Sequence, residues 1–168
     1  MHMSDTIGNS LLKAFPGLSC NRAGDVLAVP EEAYNPARNQ HNSSMILPKV
    51  SGYAVKSQAD KILGITDVDL YVPRMNFVFG EAQYLGNAAL ISLYRLRPEF
   101  YGELQNRELF EERAGKEAIH EIGHTLGLGH CKKPNCVMFF SNSILDTDRK
   151  KSDFCDSCYL SVRRHVGT

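Results

Sequence analysis

The sequence predicts a mixed fold of the α/β or α+β class, one domain built on a mixed sheet. Three observations lead there. Short β-prone apolar runs alternate along the chain with longer stretches whose apolar residues recur every three or four positions. Two β-prone runs are separated only by Gly86-Asn87, a dipeptide suited to a tight antiparallel hairpin. At 168 residues the chain has ordinary single-domain size and can bury a substantial core.

The first element is a short apolar run at residues 24–30, closed by Pro30, which reads as a strand. A loop rich in Asn, Pro and Ser follows. From Tyr53 onward Val55, Ala59, Ile62 and Leu63 recur at helical spacing, and Gly64 suits the left-handed position that ends a helix. In residues 67–72, Val68, Leu70 and Val72 alternate onto one face before Pro73, which predicts a strand. Residues 76–85 and 88–96 are the two arms of the hairpin. After Pro98 a stripe of Phe110, Ala114, Ala118 and Ile122 predicts a second helix, with Asn106 as its N-cap and Glu108 in its first turn. A last short helix over residues 153–165 is expected, capped by Ser152.

Nineteen basic and nineteen acidic residues cancel, which argues against a partner recognised mainly through charge, such as duplex DNA or an anionic membrane. No apolar run has the length of a membrane span, and the first residues lack a basic start and an apolar segment typical of a secretory signal. The opening Met-His-Met has the look of a cloning remnant and carries no weight here. A cytoplasmic protein, monomeric, is expected.

The predicted second helix runs into HEIGHTLGLGHC, residues 120–131. His120 and His124 are four apart, so their imidazoles leave one helix face a turn apart, at a spacing one Zn²⁺ can bridge. Gly127 can take a backbone conformation barred to most residues and so return His130 as a third ligand. Three nitrogens leave a fourth tetrahedral position for water, the mark of a catalytic rather than a structural zinc. Glu121 is placed to act as general base on that water without binding the metal, and the chemistry described is amide hydrolysis. Five fixed positions of this kind would arise by chance in such a composition with probability on the order of 10⁻⁵, which sets aside an incidental grouping. His2, His41 and His165 show no such spacing and read as surface or core residues.

Four of the five cysteines lie after residue 130. Cys131 and Cys136 form one pair and Cys155 and Cys158 a CxxC pair, and two close pairs joined by a longer loop suit a tetrahedral thiolate site. Zinc, an iron–sulfur centre, two disulfides and a redox-active CxxC compete for this pattern. Disulfides conflict with the missing export signal, and a redox CxxC leaves Cys131 and Cys136 unexplained. Zinc is the preferred reading, structural because no coordination position stays open. Cys20 stands alone and reads as a small buried apolar residue.

HExxHxxGxxH followed by Met138 resembles the metzincin zinc peptidases, and the CKKPNCVM and CDSC segments narrow the likeness to the archaemetzincins. Their pattern has about seventeen residues between the methionine and the CxxC pair; here there are sixteen. The resemblance implies an upper lobe over about residues 1–127, holding a twisted mixed sheet and two main helices, and a lower lobe over 128–168. It implies that His120, His124 and His130 hold a catalytic zinc, that Glu121 is the base, and that Met138 lies beneath the metal. Cys131, Cys136, Cys155 and Cys158 would hold a second, structural zinc. In that family a strand in the region of residues 88–96 borders the cleft, so main-chain groups of Asn87, Ala88, Ala89, Leu90 and Ile91 are expected to bind an extended peptide or protein substrate.

The rival reading is a non-catalytic, zinc-stabilised module that binds peptide or nucleic acid. It draws on the basic stretches DRKK and VRRH, although from Cys131 onward seven Lys or Arg face four Asp, an excess of only three. A solvated face explains that excess equally well, and nucleic acid is not the expected partner.

Overall fold

A computed structural model of the chain describes residues 2–166. The chain opens with helix α1, Met3–Ala14. Residues 24–30, expected as a strand, have no ladder partner, and Val26 is 96% exposed. A run of four apolar residues becomes a strand only where a neighbouring edge is free to receive it. Short strands β1, Tyr34–Asn35, and β2, Gln40–Asn42, then lead into helix α2, Ser43–Ser57.

The expected helix over residues 53–63 is corrected. Helix α2 starts ten residues earlier, with Asn42 Oδ1 accepting from Ser44 N–H at 3.1 Å, and ends at Gln58 in the left-handed conformation, φ 56°. Pro48 lies inside it, on the exposed side, and is what made the segment read as loop. Ile62 and Leu63 belong instead to strand β3, Ile62–Thr66. Gly64 is no helix cap: a Cβ there would stand 3.0 Å from Val50 Cγ2 and 3.1 Å from Leu90 Cδ1, so glycine lets α2 pack closely on the sheet.

The strand expected over 67–72 shrinks to β4, Leu70–Tyr71. The hairpin is present with shorter arms than expected, β5, Gly80–Ala82, and β6, Ala88–Ser92, paired antiparallel with Ala82 opposite Ala89. Its turn is a loop closed by Gln83 N–H on Ala88 C=O at 2.9 Å, with the positive φ at Leu85 rather than at Gly86-Asn87. The strands form two three-stranded sheets, β1-β2-β4 and β3-β6-β5, joined by an isolated antiparallel bridge between Leu70 and Val78. Pairing is mixed, since β3 runs parallel to β6 and β2 parallel to β4.

Strand β6 is the centre of its sheet. Ala88 and Leu90 pack with Ile46, Leu47 and Val50 of α2, whereas Ala89 and Ile91 pack with residues of helix α3, Arg107–Thr125. Burial on both faces explains why this strand is a continuous apolar run. Helix α3 begins as expected, with Asn106 Oδ1 accepting from Leu109 N–H at 3.0 Å. Helix α1 lies against it through Ile7, Leu11 and Phe15, where Gly115 admits Ser10 closely: a Cβ on Gly115 would be 2.7 Å from Ser10 Oγ.

Beyond α3 come two short helices, α4, Ile144–Arg149, and α5, Asp156–Val166. The last begins three residues later than expected, so Ser152 does not cap it. No helix among the described residues is long and apolar enough to cross a membrane.

The hairpin tip is fastened to the end of α3. Leu85, itself at φ 55°, donates its N–H to His124 C=O at 3.2 Å. Lys61 Nζ donates to Gly86 C=O at 2.6 Å and to Thr125 C=O at 3.0 Å, a cation at a helix C-terminus. Tyr84 O–H donates to Gly127 C=O at 2.7 Å.

Candidate active site

Helix α3 carries His120 and His124 on one stripe, and the turn after it brings His130 back to them. That turn is a Schellman motif: Gly127 N–H donates to His124 C=O at 2.9 Å and Leu128 N–H to Gly123 C=O at 3.1 Å. Gly127 adopts φ 86°, and a Cβ there would strike Leu85 Cδ2 at 2.5 Å, so both conformation and space require glycine.

The ring orientations follow from carbonyl partners. His120 Nδ1 is 2.8 Å from Val137 C=O and His124 Nδ1 is 2.7 Å from Leu128 C=O. A carbonyl only accepts, so each Nδ1 carries the proton and each Nε2 keeps its lone pair. Those two Nε2 atoms are 3.1 Å apart. Tetrahedral zinc with Zn–N of about 2.0–2.1 Å sets its nitrogens about 3.3 Å apart, so the pair is spaced for a shared cation. One ligand atom from each of His120, His124 and His130 lies within 4.8 Å of the others. Burial pushes the His120 imidazole well below its ordinary pKa, with the positive charge of Lys150 adding to the effect, and burial lowers those of His124 and His130 as well. Neutral imidazoles are the form that binds metal.

Glu121, next in sequence to His120, is buried. Its carboxyl is pushed well above its usual range, first by burial, then by the charge of Glu117, with Glu81 contributing and Lys150 opposing. Gly80 on β5 makes room for it, since a Cβ on that glycine would be 2.8 Å from both Glu121 Cγ and Oε1. Met138 is fully buried against the same helix: a Cβ on Gly123 would meet its Sδ at 2.5 Å. Gly123 had a signal in the sequence, because a glycine inside a helix costs about 1 kcal/mol relative to alanine and so marks close packing. Gly80 had none, since the side chain it admits is distant in the chain.

The second cluster gathers Cys131, Cys136, Cys155 and Cys158, with one Sγ from each within 4.8 Å of the rest and no disulfide among them. Cys131 Sγ and Cys155 Sγ are 3.7 Å apart, close to the roughly 3.8 Å edge of a tetrahedron with Zn–S of about 2.3 Å. Backbone donors support the sulfurs, with Cys155 N–H on Cys136 Sγ at 3.3 Å and Lys133 N–H on Cys131 Sγ at 3.5 Å. The Ser157 hydroxyl, 3.3 Å from Cys155 Sγ, brings that thiol down to about 6, while burial pushes Cys136 and Cys158 up. Cys20 stands apart from both clusters and is exposed, contrary to the buried role expected of it.

One expectation fails on position, and the rival reading loses part of its support. Residues 88–91 are an interior strand, with β3 on one side and β5 on the other, so they offer no free edge to substrate. Of the basic DRKK stretch, Lys150 is fully buried and paired with Glu117 at 2.9 Å, so it is no solvated charge for a nucleic acid.

Three clustered imidazoles, two on a helix packed under a mixed sheet and one returned by the turn after it, with a buried glutamate next in sequence to the first, define the class as metallopeptidases. The family model for peptidase family M54 matches residues 25–164. The chain belongs to that family. It is 52% identical over 135 residues to the archaemetzincin of Methanocaldococcus jannaschii, a match covering 80% of this chain and 73% of that protein. Its fold resembles that of a zinc-dependent peptidase from Methanocorpusculum labreanum, with a TM-score of 0.87, 30% identity, and coverage of 95% and 93% of the two chains. The Methanopyrus kandleri archaemetzincin gives a TM-score of 0.82 at 36% identity, covering 98% of this chain and 86% of that one.

Proposed function

We propose that the protein hydrolyses peptide bonds at a zinc ion held by His120, His124 and His130, with Glu121 as general base. The observation that carries this reading is the facing pair of Nε2 lone pairs 3.1 Å apart, with His130 alongside and a buried glutamate, Glu121, directly following the first of the three histidines. The donor set fits zinc: three neutral imidazoles with a fourth position left to water. When bound, zinc supplies Lewis acidity that activates water and polarises the scissile carbonyl. Glu121 takes the proton from that water and delivers it to the leaving amine. Met138 packs under α3 and sets the floor of the site.

The four cysteines fit a second zinc, which within the lower lobe, 128–168, ties the chain just after His130 to the start of α5. Thiolates held on zinc accord with a cytoplasmic location, where reducing conditions disfavour disulfides. Metal analysis of the purified protein should find two zinc ions per chain. Mild chelation should remove the histidine-held ion first and abolish digestion of a peptide library, while the fold survives. Loss of both ions together, with unfolding, would contradict the division of roles.

Substrate main chain is assigned to β5 rather than β6. Phe79 C=O accepts from Ser92 N–H at 2.8 Å and Gln83 N–H donates to Ala88 C=O at 2.9 Å, so residues 79, 81 and 83 turn their main-chain groups inward. By alternation Gly80 and Ala82 turn theirs outward, on the strand beside Glu121, where an extended peptide can pair. Proline at Ala82 removes an outward donor without touching the ladder to β6. KM should rise several-fold, as one lost hydrogen bond of about 1 kcal/mol implies, with the melting temperature nearly unchanged. An unchanged KM would remove β5 from the substrate site.

A further inference from the structure

Near the histidine cluster lies a buried ion pair that the chemistry above does not use. Lys150 Nζ is 2.9 Å from Glu117 Oε1, and the two side chains are 0% and 3% exposed. Thr147 Oγ1 donates to the same carboxylate oxygen at 3.0 Å, and Lys150 Nζ reaches Phe139 C=O at 3.5 Å. Taking charges out of water costs several kcal/mol per ion, and apolar residues of similar volume often serve stability as well or better. Stability is therefore a poor account of the pair. Its place in the fold offers another.

Glu117 precedes His120 and Glu121 by one turn, so residues 117, 120, 121 and 124 share one stripe of α3. Lys150 stands at the end of α4, and Phe139 directly follows Met138. Val137, two residues before Phe139, supplies the carbonyl that holds His120 Nδ1 at 2.8 Å. The pair thus joins α3 to the very segment that orients a candidate metal ligand. The charge of Lys150 is felt by His120, His124, His130 and Glu121 alike, which places it within electrostatic reach of the whole site.

We propose that Lys150 and Glu117 are positioning residues for the histidine site: the pair, steadied by Thr147, holds the Val137–Phe139 segment against α3 and so aims His120 Nε2 at the metal. This rests on the zinc reading of that site. Partners that orient a metal-bound histidine are commonly worth 10-fold to 100-fold in affinity.

The test compares the full-length parent with the double variant Glu117→Met/Lys150→Met and with Thr147→Val. Zinc affinity of both sites is read by chelator competition, alongside melting temperature. Removing both charges avoids stranding one of them. The double variant should melt within a few degrees of the parent, yet hold the more labile zinc about 10-fold to 100-fold more weakly, with the cysteine-held zinc unaffected. Thr147→Val, nearly isosteric, should weaken the labile zinc severalfold. A double variant that regains both stability and parent-like zinc affinity overturns the proposal. Should it fail to fold, Thr147→Val decides, and parent-like affinity there overturns it equally. A parent whose histidines take up no zinc would instead refute the metallopeptidase site itself.

Discussion

Glu121→Ala lowers peptide hydrolysis by about 10²–10⁴-fold, the range for a lost general base, while zinc content and melting temperature stay close to the parent's. The separation follows from how the carboxylate is held. It forms no salt bridge among the described residues, so its removal strands no buried partner. Burial and the nearby Glu117 both oppose its charge, so the folded chain does not depend on it for stability. The histidine rings are oriented by the carbonyls of Val137 and Leu128, which the substitution leaves in place. Hydrolysis rate, zinc by mass spectrometry and thermal melting decide the matter. Activity within tenfold of the parent, or zinc lost together with activity, would remove Glu121 from the role of base.

Cys155→Ser and Cys158→Ser act on the other quantity. Each should release one zinc and loosen the segment after Cys131, because the thiolates are what join its two ends. A loss of about 3–4 kcal/mol would lower the melting temperature by roughly 10 °C in a chain of this size. Activity falls as well, but indirectly. Cys131 adjoins His130, and its N–H donates to Met138 C=O at 2.9 Å, so disorder at the cysteines reaches both the third histidine and the methionine turn. A serine variant with the parent's melting temperature and two zinc ions would show that the cluster is not a structural metal site.

Features encoded by local spacing were legible before any coordinates. His120 and His124 at i and i+4, the cap at Asn106 and the paired cysteines stand where their spacing placed them. The hairpin is there too, though its turn is a four-residue loop with its positive φ at Leu85 rather than a tight Gly86-Asn87 reversal. Errors arose where the decisive partner is remote. Ile62 and Leu63 match a helical period, yet β6 recruits them into a parallel strand. Strand β6 was read as an edge because nothing in its own residues reports that β3 arrives on its far side. Helix α1 was missed because Ile7, Leu11 and Phe15 show their purpose only once α3 is beside them. Lys150 sits in a run of basic residues that looks like surface, and only Glu117, more than thirty positions away, makes it a core residue. Gly80 likewise is explained by Glu121 alone.

The fastening of the hairpin tip to the end of α3 has a mechanical consequence. Through Leu85, Lys61 and Tyr84, the tip of the β5–β6 hairpin is bonded to the carbonyls of His124, Thr125 and Gly127. Strand and helix end therefore move as one body, and the gap between Gly80 and Glu121 behaves as a fixed gauge. On the proposal that substrate pairs with β5, a peptide would meet the site at a set height, whatever its side chains. Any adjustment to bulkier substrates would then fall to the chain beyond His130, which these hairpin-tip bonds do not hold.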